Sequence, residues 1–489
     1  MTLEQQCAFM EDLFFMIVDR YDPVNLFELV PKLMADFEPE LRELDRLLED
    51  DGILQRVKAD LARRYPHSLT RGRHSTPVEA ILRLLVVKRL YTWSYGETEH
   101  FVGDSLVLRQ FCRLYFQPVP DDTTLIRWAN LIGPETLQQI NDRVVELAKQ
   151  CKVTRGRKLR VDSTVVETNI HYPTDSAIVG DGVRVLSRLL HKAKAALGDT
   201  ATVAQAAFRS RTRSVRRIAQ ALHRIARRKG EAAAEDLKQA YAKLLEIAQA
   251  SRRQAARVRK ALQEHSSKQA QRLREQLDHF LPLVEQAMAQ AKRRVLQGEQ
   301  VPAEEKLLSL FEPQTQIIRR HKAGKPNEFG RKLWLGEVEG GIISEFRLLE
   351  DGGGLDHPEL PASLEAHQQR FGRPPNVLAG DRGVFSEENE ELAHTLKIKQ
   401  IVLPKTGRVS KERQAHEGQR WFRRGRCFRA GIEGRIRVLK RDFGLGRCLD
   451  HGEDGMGRWV GWGIVTANLT KIAETQAVRP TAKGRRQAA

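Results

Sequence analysis

The chain has 489 residues, of which 41% are hydrophobic and 30% are charged, and its formal net charge is +19. This hydrophobic content excludes global disorder, and the excess of Lys and Arg indicates a polyanionic partner. The longest apolar runs, at 13–18 and 459–465, are too short to span a bilayer, so nucleic acid is favoured over a membrane.

The N-terminal residues predict a cytoplasmic protein. Glu4, Glu11 and Asp12 lie where a signal peptide has its basic segment, so no export signal is expected. The five cysteines are scattered without zinc-binding spacing, which predicts free thiols in a reducing compartment. They are Cys7, Cys112, Cys151, Cys427 and Cys448.

The first 150 residues are predicted to be helical, with 1–75 as an N-terminal extension and 76–150 as a separate domain. In the second segment, Thr76 is expected to cap a helix whose first residue is Pro77. Another helix is predicted over Leu106–Leu114.

A third helix of this domain is expected to be capped by Asp122 or Thr123, with Arg127 on its exposed side. Short helices joined by tight turns favour a helix-turn-helix-like unit that binds DNA. A plain helical bundle without DNA contacts is the alternative.

Residues 177–300 have a different composition. Apolar residues recur at helical spacing, which predicts two or three long antiparallel helices. This segment holds 26 Lys and Arg against 11 Asp and Glu, a net charge of +15. A solvated helix face usually mixes both signs, so the one-sided excess favours contacts with phosphates. The candidates for these contacts are Arg216, Arg217, Arg227 and Arg228.

Strand patterns frame this helical insertion on both sides. A strand over Leu159–Ser163 is expected to end at Asp162, and a later one over Asn376–Ala379 to end just before Asp381. A hairpin is predicted to turn at Gly340 and Gly341. Alternating strands and helices indicate an α/β domain, in which ligands gather at the carboxyl ends of the strands, so the two aspartates are expected to converge.

A third acid, Glu433, lies on a predicted helix. Arg429 is one turn before it, and Arg437 and Lys440 follow on the same face. Carboxylates without His or Cys suit Mg²⁺ or Mn²⁺, and two such ions support in-line displacement at a phosphodiester. Each acid alone has a simpler interpretation, as a turn former, a helix cap or a surface ion pair.

Taken in order, these motifs resemble those of bacterial insertion-sequence DDE transposases, with the ISNCY-type group as the nearest. "VDSTVVETNIHYPTDS" is similar to the segment around the first aspartate of that family, and "LAGDRGVFSEEN" to the segment around the second. Arg429, Glu433 and Lys440 match the spacing of its Y-(2)-R-(3)-E-(6)-K signature. Arg426 stands where that signature has tyrosine.

The resemblance implies an RNase H-like α/β core, a mixed sheet flanked by helices, with an all-α N-terminal DNA-binding region and a long helical insertion between the first and second catalytic acids. Asp162, Asp381 and Glu433 would bind two Mg²⁺ or Mn²⁺ ions and cut DNA at terminal inverted repeats. The freed 3′-OH would then attack target DNA. Arg429 and Lys440 would position phosphates, with Arg437 on the same face.

The expected segments are the N-terminal extension (1–75), the DNA-binding domain (76–150), the catalytic domain (151–176 with 301–475), the basic insertion (177–300) and a disordered basic tail (476–489). The expected partner is double-stranded DNA, both inverted repeats and target. A homodimer or larger assembly on DNA, in the bacterial nucleoid, is carried over from the family. An RNase H-like nuclease without strand transfer and a domesticated DNA-binding regulator are the alternatives.

Overall fold

The computed structural model describes residues 15–16, 18–20, 37–64, 67, 73–197, 208–322, 325–350 and 354–478. The chain divides into two compact units, Met1–Glu167 with Arg331–Ala489, and Thr168–Gly330. Cys7, most of the predicted N-terminal extension before residue 37 and the predicted basic tail from residue 479 lie outside the described residues.

The N-terminal part of the first unit is helical, apart from a pair of two-residue parallel strands, β1 and β2. The strands are Phe15–Met16 and Arg73–His74. The helices are α1 (Pro39–Leu47), α2 (Asp51–Ala62), α3 (Val78–Leu90), α4 (Tyr95–Asp104), α5 (Leu106–Phe111), α6 (Asp122–Leu131) and α7 (Pro134–Gln150).

Three helix boundaries differ from the predictions. Helix α3 has Pro77 as its N-cap residue, so Thr76 does not cap it. Helix α6 is capped by Asp121, whose carboxylate accepts a hydrogen bond from the backbone N–H of Thr124 at 2.7 Å. Helix α5 ends at Phe111, because Arg113 adopts a φ of +55° that a right-handed helix does not accommodate.

A mixed sheet flanked by helices follows, as predicted. In the first unit its strand order is β6-β5-β3-β7-β8, with β9 paired to β3. Strands β5 and β6 form the antiparallel hairpin that turns at Gly340 and Gly341, whereas β3, β7 and β8 are parallel. The strands are β3 (Lys158–Thr168), β5 (Lys325–Val338), β6 (Ile342–Leu349), β7 (Val377–Ala379), β8 (Gln400–Val402) and β9 (Arg447–Cys448).

Strand β3 is longer than predicted, and Asp162 lies within it rather than at its end. The residues after Asp162 include the β-branched Thr164, Val165 and Val166, which favour extended backbone and continue the strand to Thr168. The predicted end at Asp162 is therefore wrong.

The remaining helices of the first unit cover the sheet. They are α12 (Leu360–Phe371), α13 (Glu387–Thr395), α14 (Lys411–Glu417), α15 (Arg420–Asp442) and α16 (Gly452–Ala477). Helix α16 contributes to two buried clusters, one shared with the N-terminal helices and one shared with β5, β6 and the end of α15. The three residues of the predicted tail that are described, 476–478, belong to the end of this helix or follow it directly.

The second unit is a helical bundle with its own core. Its described residues form four α-helices rather than the two or three predicted: α8 (Asp175–Leu197), α9 (Thr212–Ile225), α10 (Glu231–Gln263) and α11 (Lys268–Ala291). Its buried cluster is built from residues of these helices and of the segment that follows. Strand β4 (Gln316–Lys322) pairs antiparallel with the first part of β5.

Two predictions from composition also bear on the described residues. No described helix combines the length and the apolar character needed to cross a membrane. Cys112, Cys151, Cys427 and Cys448 take part in no disulfide bond within the described residues.

Candidate active site

Asp162 on β3 and Asp381 just after β7 lie at matching positions along two neighbouring parallel strands. In the pairing of β3 with β7, Arg160 is opposite Ala379, and each aspartate is two residues beyond that pair. Asp381 sits in the turn after β7, where its Oδ1 accepts hydrogen bonds from the backbone N–H groups of Gly383 and Val384 at 2.8 and 3.1 Å. The two acids therefore meet where β7 ends, not where β3 ends.

Helix α15 can approach the sheet closely because two of its three glycines, Gly425 and Gly431, face the sheet. A Cβ atom at Gly425 would overlap Val402 of β8, and one at Gly431 would overlap the guanidinium of Arg160 on β3. That guanidinium is fixed in turn, donating to Glu337 at 2.8 Å and to the Phe428 carbonyl at 2.5 Å. This packing brings α15 over the strands that carry the aspartates.

All three predicted acids converge on Arg429. Its Nη1 donates to Glu433 Oε1 at 2.7 Å, and its Nη2 donates to Asp162 Oδ2 at 2.9 Å. The same Nη2 lies 3.9 Å from Asp381 Oδ2. Asp162 is more than 200 residues before Asp381 and Glu433 in sequence, yet the three carboxylates share one guanidinium, which neutralises part of their mutual repulsion.

The acids differ in their solvent exposure. The side chain of Asp162 is 11% exposed, that of Asp381 32% and that of Glu433 66%. Burial raises the pKa of Asp162 to about 6, and the carboxylates of Asp381 and Asp356 act in the same direction, although Arg429 and the Ser163 amide oppose them. A carboxyl group that titrates near neutral pH in a concave site is typical of functional sites.

The chemistry of the three carboxylates suits a divalent cation, but among the described residues their present arrangement does not form a shared site. Three carboxylates meet at a positive charge, and hard oxygen ligands suit Mg²⁺ or Mn²⁺. In the arrangement described, the Arg429 guanidinium lies at the meeting point, and the described residues include no group of three or more Asp, Glu, His or Cys side chains placed to share a metal ion. Joint binding of one cation by all three acids therefore requires the Arg429 side chain to move.

A fourth acid, Asp356, lies beside the site and was missed in the sequence. Its Oδ2 accepts a hydrogen bond from Ser163 Oγ at 3.0 Å, and its Oδ1 lies 2.7 Å from Lys332 Nζ. Lys332 is buried and also donates to the carbonyl of Gly354 at 2.6 Å. Asp356 follows a glycine-rich stretch and no strand precedes it directly, so the pattern used to find Asp162 and Asp381 gives no signal there.

The other predicted phosphate-binding residues take several positions. On α15, Arg437 is exposed and Lys440 is half-buried. Arg127 is exposed on α6, and its guanidinium donates to the Thr123 carbonyl and the Thr124 hydroxyl, both at 3.3 Å.

The four basic candidates of the second unit are all exposed. Arg228 pairs with Asp236 at 2.9 Å, and Arg227 lies 2.9 Å from the His223 ring. Val215 and Leu222 form the buried side of α9, and Arg216 and Arg217 are exposed on the same helix. Arg227 and Arg228 follow the end of α9.

Polar residues that follow β3 have contacts within the second unit. His171 Nε2 lies 2.7 Å from Asp181 Oδ2. Asp175 is buried and accepts hydrogen bonds from Gln290 at 2.8 Å and Arg294 at 2.7 Å. The start of α8 is capped by Thr174, whose hydroxyl accepts from the Ala177 amide at 3.2 Å. Asp175 therefore links the start of α8 to α11.

Residues 28–131 match the family model of a transposase domain, DUF772. The match covers about a fifth of the chain and supports a transposase family. It begins within the 1–75 segment, which the resemblance drawn from the motifs did not include. No curated protein and no solved structure matches the chain.

Proposed function

We propose that this chain is a transposase that binds the terminal inverted repeats of an insertion sequence and catalyses Mg²⁺-dependent DNA cleavage and strand transfer. Asp162, Asp381 and Glu433 are the catalytic acids. The observation that carries this proposal is their convergence on Arg429 from three distant parts of the chain. The transposase-domain match at residues 28–131 supports the same role from an independent part of the sequence.

The sheet supports an RNase H-like core. Such a core requires the first acid on a central strand and the second after a neighbouring parallel strand. Strand β3 lies between β5 and β7, and it carries Asp162. Asp381 follows β7, which is parallel to β3, and Glu433 comes from a helix packed on β7 and β8.

In this proposal the three carboxylates hold Mg²⁺ or Mn²⁺, which when bound lowers the pKa of water and stabilises charge on the phosphate oxygens. Arg429 offsets the charge of the acids, and after it moves its guanidinium is available to a DNA phosphate. No covalent link to the enzyme is needed, because water and then a DNA 3′-OH are the nucleophiles.

Strand transfer is the property that tests this function. DNA fragments carrying the sequences that flank the gene are incubated with the protein, a target plasmid and Mg²⁺, and joined products are measured. We expect joining, loss of joining with Asp162→Asn, and no change with Glu365→Gln, an exposed acid on α12. Cleavage without joining indicates a nuclease, and DNA binding without either reaction indicates a regulator.

The basic face of the second unit is proposed to contact DNA phosphates. Reversing the charge of Arg216, Arg217, Arg227 and Arg228 is expected to weaken DNA binding and to flatten its dependence on salt. Each lost phosphate contact lowers the slope of log K against log salt by about 0.9. Unchanged binding would give this face a structural or dimerising role.

A further inference from the structure

A cavity of about 690 Å³ opens beside Asp381. Four arginines line it: Arg382, which follows Asp381 in the turn after β7, and Arg423, Arg426 and Arg429 of α15. We call these four residues and the space between them the arginine groove. Spacings of three residues place the α15 members along one side of the helix.

Three of these arginines lack an acidic partner. Arg382, Arg423 and Arg426 are exposed, and within the described part of the chain none forms an ion pair or a side-chain hydrogen bond. Glu417 interacts with Arg426 at longer range, but its carboxylate is already bound by Arg413 at 2.9 Å.

Other arginines of the same helix are satisfied within the protein. Arg429 binds the three acids, Arg435 donates to the Ala467 carbonyl at 3.1 Å, and Arg441 pairs with Asp442 at 2.5 Å. Arg420, Arg424 and Arg437 are exposed on α15 as well, but they do not line the cavity. The groove differs because it brings Arg423 and Arg426 together with Arg382 of another element, where like charges repel unless an anion lies between them.

We propose that the arginine groove binds consecutive phosphates of one DNA strand, next to the phosphodiester on which the acids act. Guanidinium groups bind phosphate oxygens in a bidentate manner, and several along one helix side suit a polymer better than a single anion. The assignment of the polymer rests on the proposed function. Arg426, which stands where the family signature has tyrosine, acts here as a phosphate ligand.

Cys427 provides a reporter that does not depend on catalysis. It is exposed and lines the groove, whereas Cys112 and Cys448 are buried and Cys151 is half-buried. The rate at which N-ethylmaleimide modifies Cys427 is measured by peptide mass spectrometry, with and without a DNA duplex. The duplex is used at a saturating concentration, which fluorescence anisotropy establishes. We expect DNA to slow this modification at least about fivefold, because phosphate contacts hold the strand in the groove and cover Cys427 in most molecules at saturation.

Arg423→Glu with Arg426→Glu is expected to abolish the protection and to lower the salt slope of DNA binding by about 1.8, since two contacts are lost. Arg424→Glu is the matched control, because Arg424 is exposed on the same turn but does not line the groove. Circular dichroism establishes that each variant is folded. Saturated DNA binding that leaves the Cys427 rate unchanged would overturn the proposal, and so would equal effects of the control.

Two further measurements fix the ligand. Inorganic phosphate, or an RNA strand in place of DNA, is expected to protect Cys427 less than DNA does, and equal protection by either would overturn the assignment to a DNA strand. Protection by DNA without any cleavage or joining would contradict the proposed function but still support the groove assignment. Joining of DNA while Cys427 stays unprotected would support the proposed function and overturn the groove assignment.

Discussion

The charge of Asp162 is controlled by its surroundings, chiefly by its burial. Its pKa is about 6 in the folded protein, above the ordinary value of 3.8, so between these values the folded state binds more protons than the unfolded state. The free energy of unfolding therefore falls as the pH rises through this window, and above pH 6 the whole destabilisation by the ionised Asp162 is present.

Asp162→Asn is expected to stabilise the protein at pH 7.5 by up to about 3 kcal/mol, which corresponds to a shift of about two pKa units. At pH 4 the variant and the parent should unfold alike, and this comparison is the internal control. Urea unfolding in EDTA buffer at both pH values measures the difference. Equal gains at the two pH values would contradict the electrostatic cause.

Arg429 competes with any cation that the three acids bind. Its guanidinium lies 2.9 Å from Asp162 and 2.7 Å from Glu433, so a divalent ion must displace it. Arg429→Ala is expected to lower the Kd for Mn²⁺ roughly fivefold, because the loss of about 1 kcal/mol of ion-pair energy corresponds to that factor. Calorimetric titration with Mn²⁺ measures it, with the exposed Arg437→Ala as control. A weaker Mn²⁺ affinity in Arg429→Ala would show that the arginine supports the cation site.

At this scale, the sequence identified those residues whose position follows from local spacing. Arg429 and Glu433 are four residues apart on one helix, and they form the ion pair that this spacing predicts. Asp356 was missed because its place beside Asp162 depends on Lys332 and Ser163, which are distant in sequence. The central position of Arg429 among three acids is likewise a tertiary property.

Among the elements, α15 determines where Arg429 and Glu433 lie, and its glycines determine how closely it packs. Gly425→Ala is expected to destabilise the protein by about 1–3 kcal/mol, because the added Cβ meets the stiff, buried Val402. Gly434→Ala on the same helix meets no atom within 4 Å and is expected to stabilise it by about 0.5–1 kcal/mol. Thermal unfolding of both variants provides the comparison. Similar effects of the two changes would exclude close packing as the role of Gly425.

Element types followed from periodicity, but boundaries and lengths did not. The hairpin at Gly340 and Gly341 was predicted because paired glycines between apolar runs are a local signal. The end of β3 was predicted wrongly, because an aspartate after apolar residues looks like a strand terminus. Pairing with β5 and the β-branched residues after Asp162 allow the strand to continue. Polar residues within a strand are tolerated where the sheet builds a site, and local patterns do not reveal this.

At the scale of the whole molecule, the hydrophobic clusters respect the division of the chain. Each cluster of the first unit consists of residues from Met1–Glu167 and Arg331–Ala489, and the cluster of the second unit lies entirely within Thr168–Gly330. The segment 177–300 also carries +15 of the net charge of +19. Apolar burial is the main source of stability, so separate cores predict separate cooperative units.

We therefore expect unfolding in two transitions rather than one. Hydrogen exchange followed by mass spectrometry in increasing urea should show peptides of α8, α10 and α11 opening together, at a urea concentration different from that of α3, α7 and α16. Leu277→Ala truncates a fully buried residue of the second unit's core. It should lower the unfolding free energy of the α8, α10 and α11 peptides by about 2–5 kcal/mol and leave that of the α3, α7 and α16 peptides unchanged. Leu137→Ala, at an equally buried position of the first unit's core, should destabilise the α3, α7 and α16 peptides and leave those of α8, α10 and α11 unchanged. A single transition, shifted as a whole by either variant, would mean that the two cores unfold as one.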